Sequence, residues 1–432
     1  MPFNVIIIVI DALRRDYSTF LENKLVKLGF ISYENVIAPA PWTLPSFASL
    51  FTGLYPSFHG AHETKNKKTY HIRLNKKRDL LSLQLQNIGY ETYLISPNIY
   101  VSPYFGFSGF QHYYDSGIFL NFSLEERLSS SSIKRDESII QITKKLLKNK
   151  EVKLLMKMGI NYLIKYINWP TDKGAINTLK IIKKIPLTNE NEFIFISLME
   201  THEPYFKHQN WTKLREMNRM GHPINKSMIP KLRNKYMEEV RYVTKKIVNL
   251  IKIFRDKNIF DDSLIIITSD HGQLLGEYGK IGHGTYLYDE LLRIPLLIKY
   301  PNGLEINRIK NTYRYASLTN LKSFILQVIK DDLISEDTLY SATVFAESYG
   351  VPENIKPNTK KEMETVEKLE KHRIAIYYKN FKGIFNVSDW RFEKLIPYND
   401  EYVPPIIKQE IKNEVLKFLN ALSLNNRWFK RG

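Results

Sequence analysis

The sequence predicts an α/β fold in which a doubly wound, mostly parallel sheet is covered by helices on both faces. Four short apolar runs rich in β-branched residues have the composition of parallel strands buried on both sides, and they are residues 4–10, 92–96, 193–198 and 263–269. Between the last two runs, apolar residues recur at helical spacing from Val240 to Phe254. Strands that alternate with amphipathic helices are typical of a doubly wound sheet.

The length, net charge and cysteine content of the chain limit the classes of protein to which it can belong. The 432 residues suffice for one large α/β core with an appendage, or for two domains. The net charge of +18 favours anionic partners such as phosphate or sulfate esters, acidic glycans, nucleic acid or a lipid surface. Because the lysines are spread along the chain, a solvated basic surface is favoured over a dedicated groove for a polyanion. The absence of cysteine excludes disulfides, thiolate metal ligands and a cysteine nucleophile.

The first apolar run, residues 5–10, is too short to cross a bilayer and ends at an acid, so it predicts a buried strand. No other run approaches the length of a membrane span. We therefore expect a soluble, cytoplasmic protein with neither a signal peptide nor a transmembrane segment.

The remaining segments predict two domains, residues 1–335 and 336–432. In the second, four short aromatic-rich strands and one amphipathic helix predict a small antiparallel sheet with a terminal helix. Within the first, residues 121–190 are basic and predict a helical insertion. This insertion is either a lid or interaction surface, or a solvated helical excursion.

Polar residues stand just after several predicted strands. Ligands of open α/β sheets bind beyond the carboxyl ends of the strands, so these positions are candidates for chemistry. Thr43 adds a hydroxyl where an apolar helix is predicted to begin, a position that favours an anion. The glycines beside His283 would let the backbone approach a ligand. Together the candidates predict a metal-centred anion site, and they are Asp11, Thr43, Glu200, His202, Asp270, His271 and His283.

Five segments, in order, resemble the sulfatase-type branch of the alkaline phosphatase superfamily. They are "NVIIIVIDALRRD", "APWTLPSFASLFTGLYPSFHG", "THEPY", "TSDHGQLLGEYGKIGHG" and "YDELLRIPLLIKYP", spread over most of residues 4–301. The tail, with "IAIYYKNFKGIFN", is similar to the small C-terminal sheet of that family. The resemblance implies an alkaline-phosphatase-like fold, with residues 1–335 as the catalytic domain.

The resemblance also implies roles for individual residues. Asp11, Asp270 and His271 would hold a divalent cation together with the Thr43 side-chain oxygen. His202 and His283 would bind the ester oxygens or handle the leaving-group proton, and Lys280 would add charge for the substrate anion. His59 would fix the loop after the predicted helix. Oxygen and imidazole ligands without thiolate leave Ca²⁺, Mg²⁺, Mn²⁺ and Zn²⁺ all open.

Thr43 is a departure from the sulfatase pattern. Sulfatases carry Cys or Ser followed by x-Pro-x-Arg, and the first residue becomes a formylglycine hydrate; this chain has Thr43 and, in place of the arginine, Phe47. A sulfated aldehyde hydrate expels sulfate by collapsing to the aldehyde, a route that threonine lacks. Water can attack phosphorus in a phosphothreonine while a metal and histidines stabilise the charge. Thr43 therefore favours phosphoryl transfer.

The sequence thus predicts a metal-dependent hydrolase of phosphate or sulfate esters, with threonine-centred cleavage of phosphodiesters, other phosphoryl esters or phosphonate esters preferred. Its expected partner is an anionic ester, linked to a glycan or a lipid. One metal is expected, which His202 and His283 could extend to two. The alternatives are a true sulfatase, a phosphoethanolamine- or phosphoglycerol-type transferase, and an inactive relative that binds an anionic glycan or lipid. Specific binding of nucleic acid is not expected, because no stacking platform accompanies the basic charge.

Overall fold

The computed structural model describes residues 3–75, 78–117, 172–188, 191–206, 210–308, 314–331, 333–399 and 402–429, with side chains described as far as residue 423. The strands are β1 Asn4–Ile10, β2 Ile31–Tyr33, β3 Val36–Ile37, β4 Glu91–Ser96, β5 His112–Asp115, β6 Glu192–Leu198, β7 Ser263–Thr268, β8 Leu274–Leu275, β9 Ile281–Gly282, β10 Leu296–Lys299, β11 Glu305–Asn307, β12 Tyr315–Ser317, β13 Leu333–Ser335, β14 Tyr340–Ser341, β15 Thr343–Ser348, β16 Arg373–Tyr378, β17 Phe381–Asn386 and β18 Arg391–Pro397. The α-helices are α1 Thr19–Val26, α2 Thr43–Thr52, α3 Pro56–His59, α4 Leu81–Asn87, α5 Ala175–Lys184, α6 Trp211–Arg219, α7 Met228–Asp256, α8 Asp289–Leu292, α9 Leu318–Lys330, α10 Lys360–Leu369 and α11 Pro405–Phe429.

The central sheet has seven strands in the order β2-β10-β7-β1-β6-β4-β5. The five strands from β7 to β5 are parallel to one another, whereas β10 runs antiparallel to both of its neighbours. All four apolar runs that predict parallel strands lie in this parallel part. The predicted α/β class with a mostly parallel sheet is therefore confirmed.

The alternating directions of the β1 side chains explain why both faces of the sheet are covered. Successive side chains of a strand point to opposite faces. Val5, Ile7 and Val9 pack into the apolar cluster that includes α2 and α9. Ile6, Ile8 and Ile10 pack into a second cluster that includes α7. Because this strand is buried on both faces, polar residues cannot alternate with apolar ones along it, and this accounts for the continuous apolar run.

Helix α2 begins where the sequence indicates a helix start, but Thr43 is not its cap. Trp42 is the N-cap residue, with extended backbone angles of φ −158° and ψ 167°, and Thr43 is the first helical residue. Every residue of α2 is buried, and the helix ends at Gly53, whose φ of 72° suits glycine. Because α2 is buried against the sheet and α9, the position of Thr43 is held by the core.

The last part of the chain forms an antiparallel sheet, β15-β16-β17-β18, with α11 on one face. On β16, Ala375 and Tyr377 join the main core, whereas Ile374 and Ile376 pack in the cluster that includes α11. The small antiparallel sheet with a terminal helix is therefore confirmed. Its separation from the main body at residues 335 and 336 stays a prediction.

Most of the predicted insertion at 121–190 lies outside the described residues. Its described part, residues 172–188, contains α5, which buries Ala175, Thr178 and Ile182 and contacts α7. This segment is therefore part of the helical layer over the sheet. Within the described residues, no helix is both long and apolar enough to cross a membrane.

Candidate active site

The candidate residues meet at the carboxyl ends of neighbouring central strands. Asp11 follows β1 directly, Asp270 and His271 follow β7, and His202 follows β6. Because β7, β1 and β6 are adjacent and parallel, these loops share one edge of the sheet. The predicted gathering of strand-end residues is therefore what the structure shows.

Asp11, Asp270 and His271 form a compact buried cluster that fits a metal ion. One potential ligand atom from each lies within 4.8 Å of the other two. His271 Nε2 is 3.7 Å from Asp11 Oδ1 and 3.4 Å from Asp270 Oδ2. Both carboxylate oxygens are buried without a hydrogen-bond partner. Since unpaired buried acceptors are costly, a divalent cation would satisfy the two oxygens, and the sulfatase family generally uses such a cation.

The other oxygen of each carboxylate is held by the protein. Asp11 Oδ2 accepts a hydrogen bond of 2.8 Å from Asn98 Nδ2. Asp270 Oδ1 accepts from the backbone N–H groups of Ala12 and His271, at 3.1 and 3.0 Å. Each carboxylate is thus oriented through one oxygen and leaves the other free, which is the arrangement expected of ligands fixed by their surroundings.

The electrostatics of the cluster also favour a cation. Burial raises the pKa of Asp11 to about 6, and the neighbouring Asp270 charge adds to this rise. Burial likewise raises the pKa of Asp270 to about 7. The His271 Nδ1–H donates to Gly272 O at 2.8 Å, so Nε2 is left as an acceptor, and burial lowers its pKa to about 4. Two carboxylates and a neutral imidazole present a net negative charge to a cation.

Thr43 lies beside this cluster. Its Oγ1 is 3.2 Å from His271 Nε2 and 3.5 Å from Asp11 Oδ2. At the first position of α2, the backbone N–H groups of Thr43 and Leu44 have no partner within the helix, so they are available to an anion. The loop after α2 is fixed by His59, as the resemblance implies: Nε2 lies 3.2 Å from Pro45 O, and Nδ1 accepts from Ala61 N at 3.0 Å.

His202 and His283 complete the group. Their ring centroids are 4.9 Å apart, and the His283 ring is 4.6 Å from that of His271. The His202 Nδ1–H donates to Glu203 O at 2.6 Å, and the His283 Nδ1–H donates to Gln273 Oε1 at 2.7 Å. In both rings Nε2 is left available for a substrate, a proton or a cation.

Two expectations about the loop that carries Lys280 and His283 do not match the contacts that the structure shows. Lys280 Nζ lies 5.7 Å from the Tyr286 ring centroid, and none of its described contacts is with the cluster. The glycines beside His283 do not make room for a ligand as expected. A Cβ on Gly282 would fall 2.5 Å from Arg215 Cδ, and one on Gly284 would fall 2.6 Å from Pro352 Cγ. Their positive φ values and small size instead allow this close packing against the protein itself.

Glu200 is near the site but faces another element. It is fully buried, and its Oε1 accepts hydrogen bonds from the backbone N–H groups of Ala175 and Lys173, at 2.9 and 3.3 Å. Lys173 Nζ donates to the carbonyls of Glu200 and His202, at 2.7 and 2.5 Å. Glu200 therefore fixes the start of α5, and Lys173 fixes the turn that carries His202.

Sequence reasoning missed Asn98 and the hydrogen-bond partners of the histidines. Asn98 stands two residues after β4, so the rule that singled out the other strand ends would also have found it. Gln273 and Glu203 are each within two residues of a predicted site residue, but nothing in their spacing indicates that they touch.

The architecture is an alkaline-phosphatase-like α/β fold, and the cluster could hold a divalent cation. More narrowly, the chain belongs to the sulfatase family, whose model, named Sulfatase, matches residues 3–330.

Solved structures with the same fold include both phosphonate and sulfate ester hydrolases. The phosphonate monoester hydrolase SpPMH from Silicibacter pomeroyi has a TM-score of 0.67 at 16% identity, with 98% of this chain and 96% of that chain covered. BT1596, a 2-O GAG sulfatase, has a TM-score of 0.66 at 12% identity, with coverage of 100% and 94%. At these identities the likeness shows the fold alone.

In sequence, the chain is similar to the extracellular sulfatase SULF-1 homolog of Drosophila melanogaster. The two are 22% identical over 325 residues, which are 67% of this chain and 26% of that protein. The chain thus matches about a quarter of the length of this relative.

Proposed function

We propose that the protein hydrolyses phosphoryl esters, such as phosphodiesters or phosphonate esters, with Thr43 as the nucleophile. The observation that carries this proposal is the position of Thr43 Oγ1, 3.2 Å from His271 Nε2 and 3.5 Å from Asp11 Oδ2, at the start of a buried helix. We infer that Thr43 occupies the place of the formylglycine of sulfatases. An unmodified hydroxyl there can form a phosphate ester that water can clear, which favours phosphorus over sulfur.

Asp11, Asp270 and His271, with the Thr43 hydroxyl, would hold the divalent cation. A cation bound there would neutralise charge on the substrate anion and would lower the pKa of the threonine hydroxyl. The donors are mainly oxygen with one imidazole, so Ca²⁺, Mg²⁺, Mn²⁺ and Zn²⁺ all stay candidates.

The chain's own groups account for the rest of the reaction. The Thr43 hydroxyl passes its proton to the bare Nε2 of His202 or His283 and Oγ1 attacks phosphorus, and as the bond from phosphorus to the leaving oxygen breaks the imidazolium gives that oxygen the proton. Water then attacks the phosphothreonine and loses a proton to the same imidazole, the bond from phosphorus to Thr43 Oγ1 breaks, and the imidazolium returns the proton to Oγ1. The N–H groups of Thr43 and Leu44 stabilise the charge on the non-bridging oxygens.

The natural substrate is proposed to be an anionic ester carried on a glycan or a lipid. The net charge of +18 suits an anionic carrier, and one structural neighbour is named a GAG sulfatase. Sulfate ester hydrolysis is the second candidate, because the family model and most of the named relatives are sulfatases. A transferase that needs its own acceptor and an inactive binding relative are further alternatives.

The test is turnover of a matched aryl sulfate, phosphate monoester, phosphate diester and phosphonate ester by metal-reconstituted protein. We expect a phosphoryl ester to be preferred, and Thr43→Ala to lower kcat by at least about 1,000-fold. Calorimetry should show metal binding by this variant, and Thr43→Ser, which keeps a hydroxyl, should retain part of the activity. A preference for the sulfate ester would refute the phosphoryl assignment. Near-normal turnover by Thr43→Ala would refute the nucleophile.

A further inference from the structure

A closed ring of polar side chains includes His283 of the candidate active site. Its members come from five separate segments of the chain, and in order around the ring they are His283, Gln273, Glu203, Arg215, Glu353 and Arg219. Arg215 and Arg219 are one turn apart on α6, and Glu353 follows β15. Of these six residues, only His283 takes part in the proposed reaction.

Each link of the ring is a direct polar contact. His283 Nδ1 lies 2.7 Å from Gln273 Oε1, and Gln273 Nε2 donates to Glu203 Oε2 at 2.8 Å. The other Glu203 oxygen, Oε1, accepts from Arg215, whose second terminal nitrogen lies 2.7 Å from Glu353 Oε1. Arg219 closes the ring by donating both to Glu353 Oε2 and to the backbone carbonyl of His283.

The chemistry of these groups dictates the direction of every hydrogen bond. A carboxylate only accepts, so Glu203 requires the amide nitrogen of Gln273 to face it. The amide oxygen of Gln273 must then face His283, and an oxygen can only accept. The proton of neutral His283 is therefore required on Nδ1, and Nε2 is left without one. The tautomer of an imidazole is commonly set in this way by the partner of its other nitrogen.

The ring is also buried and balanced in charge. Gln273 is 1% exposed and Arg219 is 2% exposed, and the Arg215 and Glu353 side chains are 11% and 19% exposed. Two arginines face two glutamates, so the ring adds no net charge beside the catalytic cluster. Buried ion pairs of this kind lose much stability when one partner is removed, because an unpaired charge is left behind. The orientation of Glu203 is therefore held firmly.

We propose that Gln273 is a positioning residue, held by Glu203 and the two arginines, that keeps the His283 proton on Nδ1 and so presents Nε2 to the substrate. This inference rests on the proposed function insofar as His283 is taken to handle a proton. It explains why an uncharged amide stands beside a histidine, and why Glu353, from the segment after β15, is tied to the main catalytic loops.

The first measurement is nitrogen NMR of protein labelled in its histidine rings, with Mg²⁺ added. The His283 signals are assigned by comparison with His283→Gln. We expect wild-type His283 to show a protonated Nδ1 and a bare Nε2. In Gln273→Leu, which has similar size and no acceptor, a mixture of the two tautomers is expected. This readout needs no substrate, so it decides the inference even if no ester is turned over.

A charge-preserving swap provides the matched control. Gln273→Glu combined with Glu203→Gln keeps an acceptor for His283 Nδ1, keeps a hydrogen bond between the two positions and leaves an oxygen for Arg215. We expect this double variant to restore the single tautomer. If Gln273→Leu fails to fold, the swap together with Gln273→Met still tests the inference.

The second measurement compares leaving groups. In Gln273→Leu we expect kcat for an alkyl ester to fall by about 10- to 100-fold, with a smaller fall for a 4-nitrophenyl ester and little change in KM. A poor leaving group needs its proton most, so the difference reports on His283. An unchanged Nδ1–H tautomer in Gln273→Leu would overturn the inference. Equal losses for both esters would likewise overturn it, because they would indicate a purely structural role.

Discussion

Asp289 joins the small C-terminal sheet to the main body, and its replacement by Asn should destabilise the protein. It begins α8, shortly after the loop that carries His283. Its Oδ1 accepts from Lys382 Nζ and Tyr377 OH, at 2.6 and 2.7 Å, and its Oδ2 accepts from Tyr398 OH at 2.7 Å. Arg293 Nε lies 3.3 Å from the same Oδ2. Three of these partners belong to the C-terminal part of the chain.

The size of the effect follows from the pKa of the Asp289 carboxyl. Burial alone would raise this pKa, but Lys382 and Arg293 outweigh it and lower the value from 3.8 to about 2. One pKa unit corresponds to about 1.36 kcal/mol, so the ionised carboxylate contributes about 2.4 kcal/mol at pH 7. A lowered pKa contributes stability that is present above pH 3.8 and is lost as the pH falls through 2. At pH 3 the contribution is therefore about 1.3 kcal/mol.

The assay is urea unfolding of wild type and Asp289→Asn at pH 7 and pH 3. We expect Asp289→Asn to lose at least about 2 kcal/mol at pH 7, because the buried Lys382 is also left without a counter-charge, and to lose clearly less at pH 3. Adding Lys382→Met should recover part of the loss. Asp256→Asn, at an exposed position, should change the free energy of unfolding by less than about 0.5 kcal/mol. A loss by Asp289→Asn that is equal at both pH values would refute this reasoning.

Three further predictions concern the cluster and the loop beside it. Because the pKa values of Asp11 and Asp270 are raised from 3.8 to about 6 and about 7, their ionisation should cost metal-free protein stability as the pH rises from 4 to 7, and a divalent cation should offset this cost. Since the lowered pKa of His271 acts in the opposite direction, the measured quantity is the stabilisation by Mg²⁺ relative to chelator in thermal unfolding; it should be greater at pH 8 than at pH 5, and equal stabilisation at both would contradict this reasoning. Asn98→Ala, which frees Asp11 Oδ2, should weaken metal binding by about 10-fold in calorimetry, and unchanged affinity would show that Asn98 does not orient the ligand. Gly282→Ala should lower both stability and turnover, because its Cβ would meet Arg215 at 2.5 Å with φ at +85°; a neutral result would mean that the loop can shift.

Much of the candidate site was predictable because the strands that carry it are parallel and adjacent in the central sheet. Asp11, Asp270 and His271 each follow an apolar run, and neighbouring parallel strands bring the ends of such runs together. Asn98 obeys the same rule, but its side chain is an amide, and the candidates were limited to acids, imidazoles and one hydroxyl. The start of α2 at Thr43 was predicted from the sequence. Its N-cap residue, Trp42, was not, because this residue has an extended backbone but makes no capping hydrogen bond through its side chain.

Other features depend on contacts between segments that are far apart in sequence. Glu203 and Glu353 are separated by 150 positions, yet both bind Arg215, and no local pattern marks this meeting. The glycines beside His283 were expected to admit a ligand, and the structure fills that space with Arg215 and Pro352. A glycine reports that something approaches closely, but the sequence does not say what.

The sequence by itself determined the α/β class, the parallel strands and the acid and imidazole groups at their ends, because continuous apolar runs and strand-end positions are local properties. Only the tertiary structure decided which oxygens of Asp11 and Asp270 are free for a cation and which nitrogen of His283 faces the site. Those choices are made by hydrogen bonds from Asn98, Gln273 and their partners. Such bonds form only when the folded chain brings distant loops within 3 Å of one another.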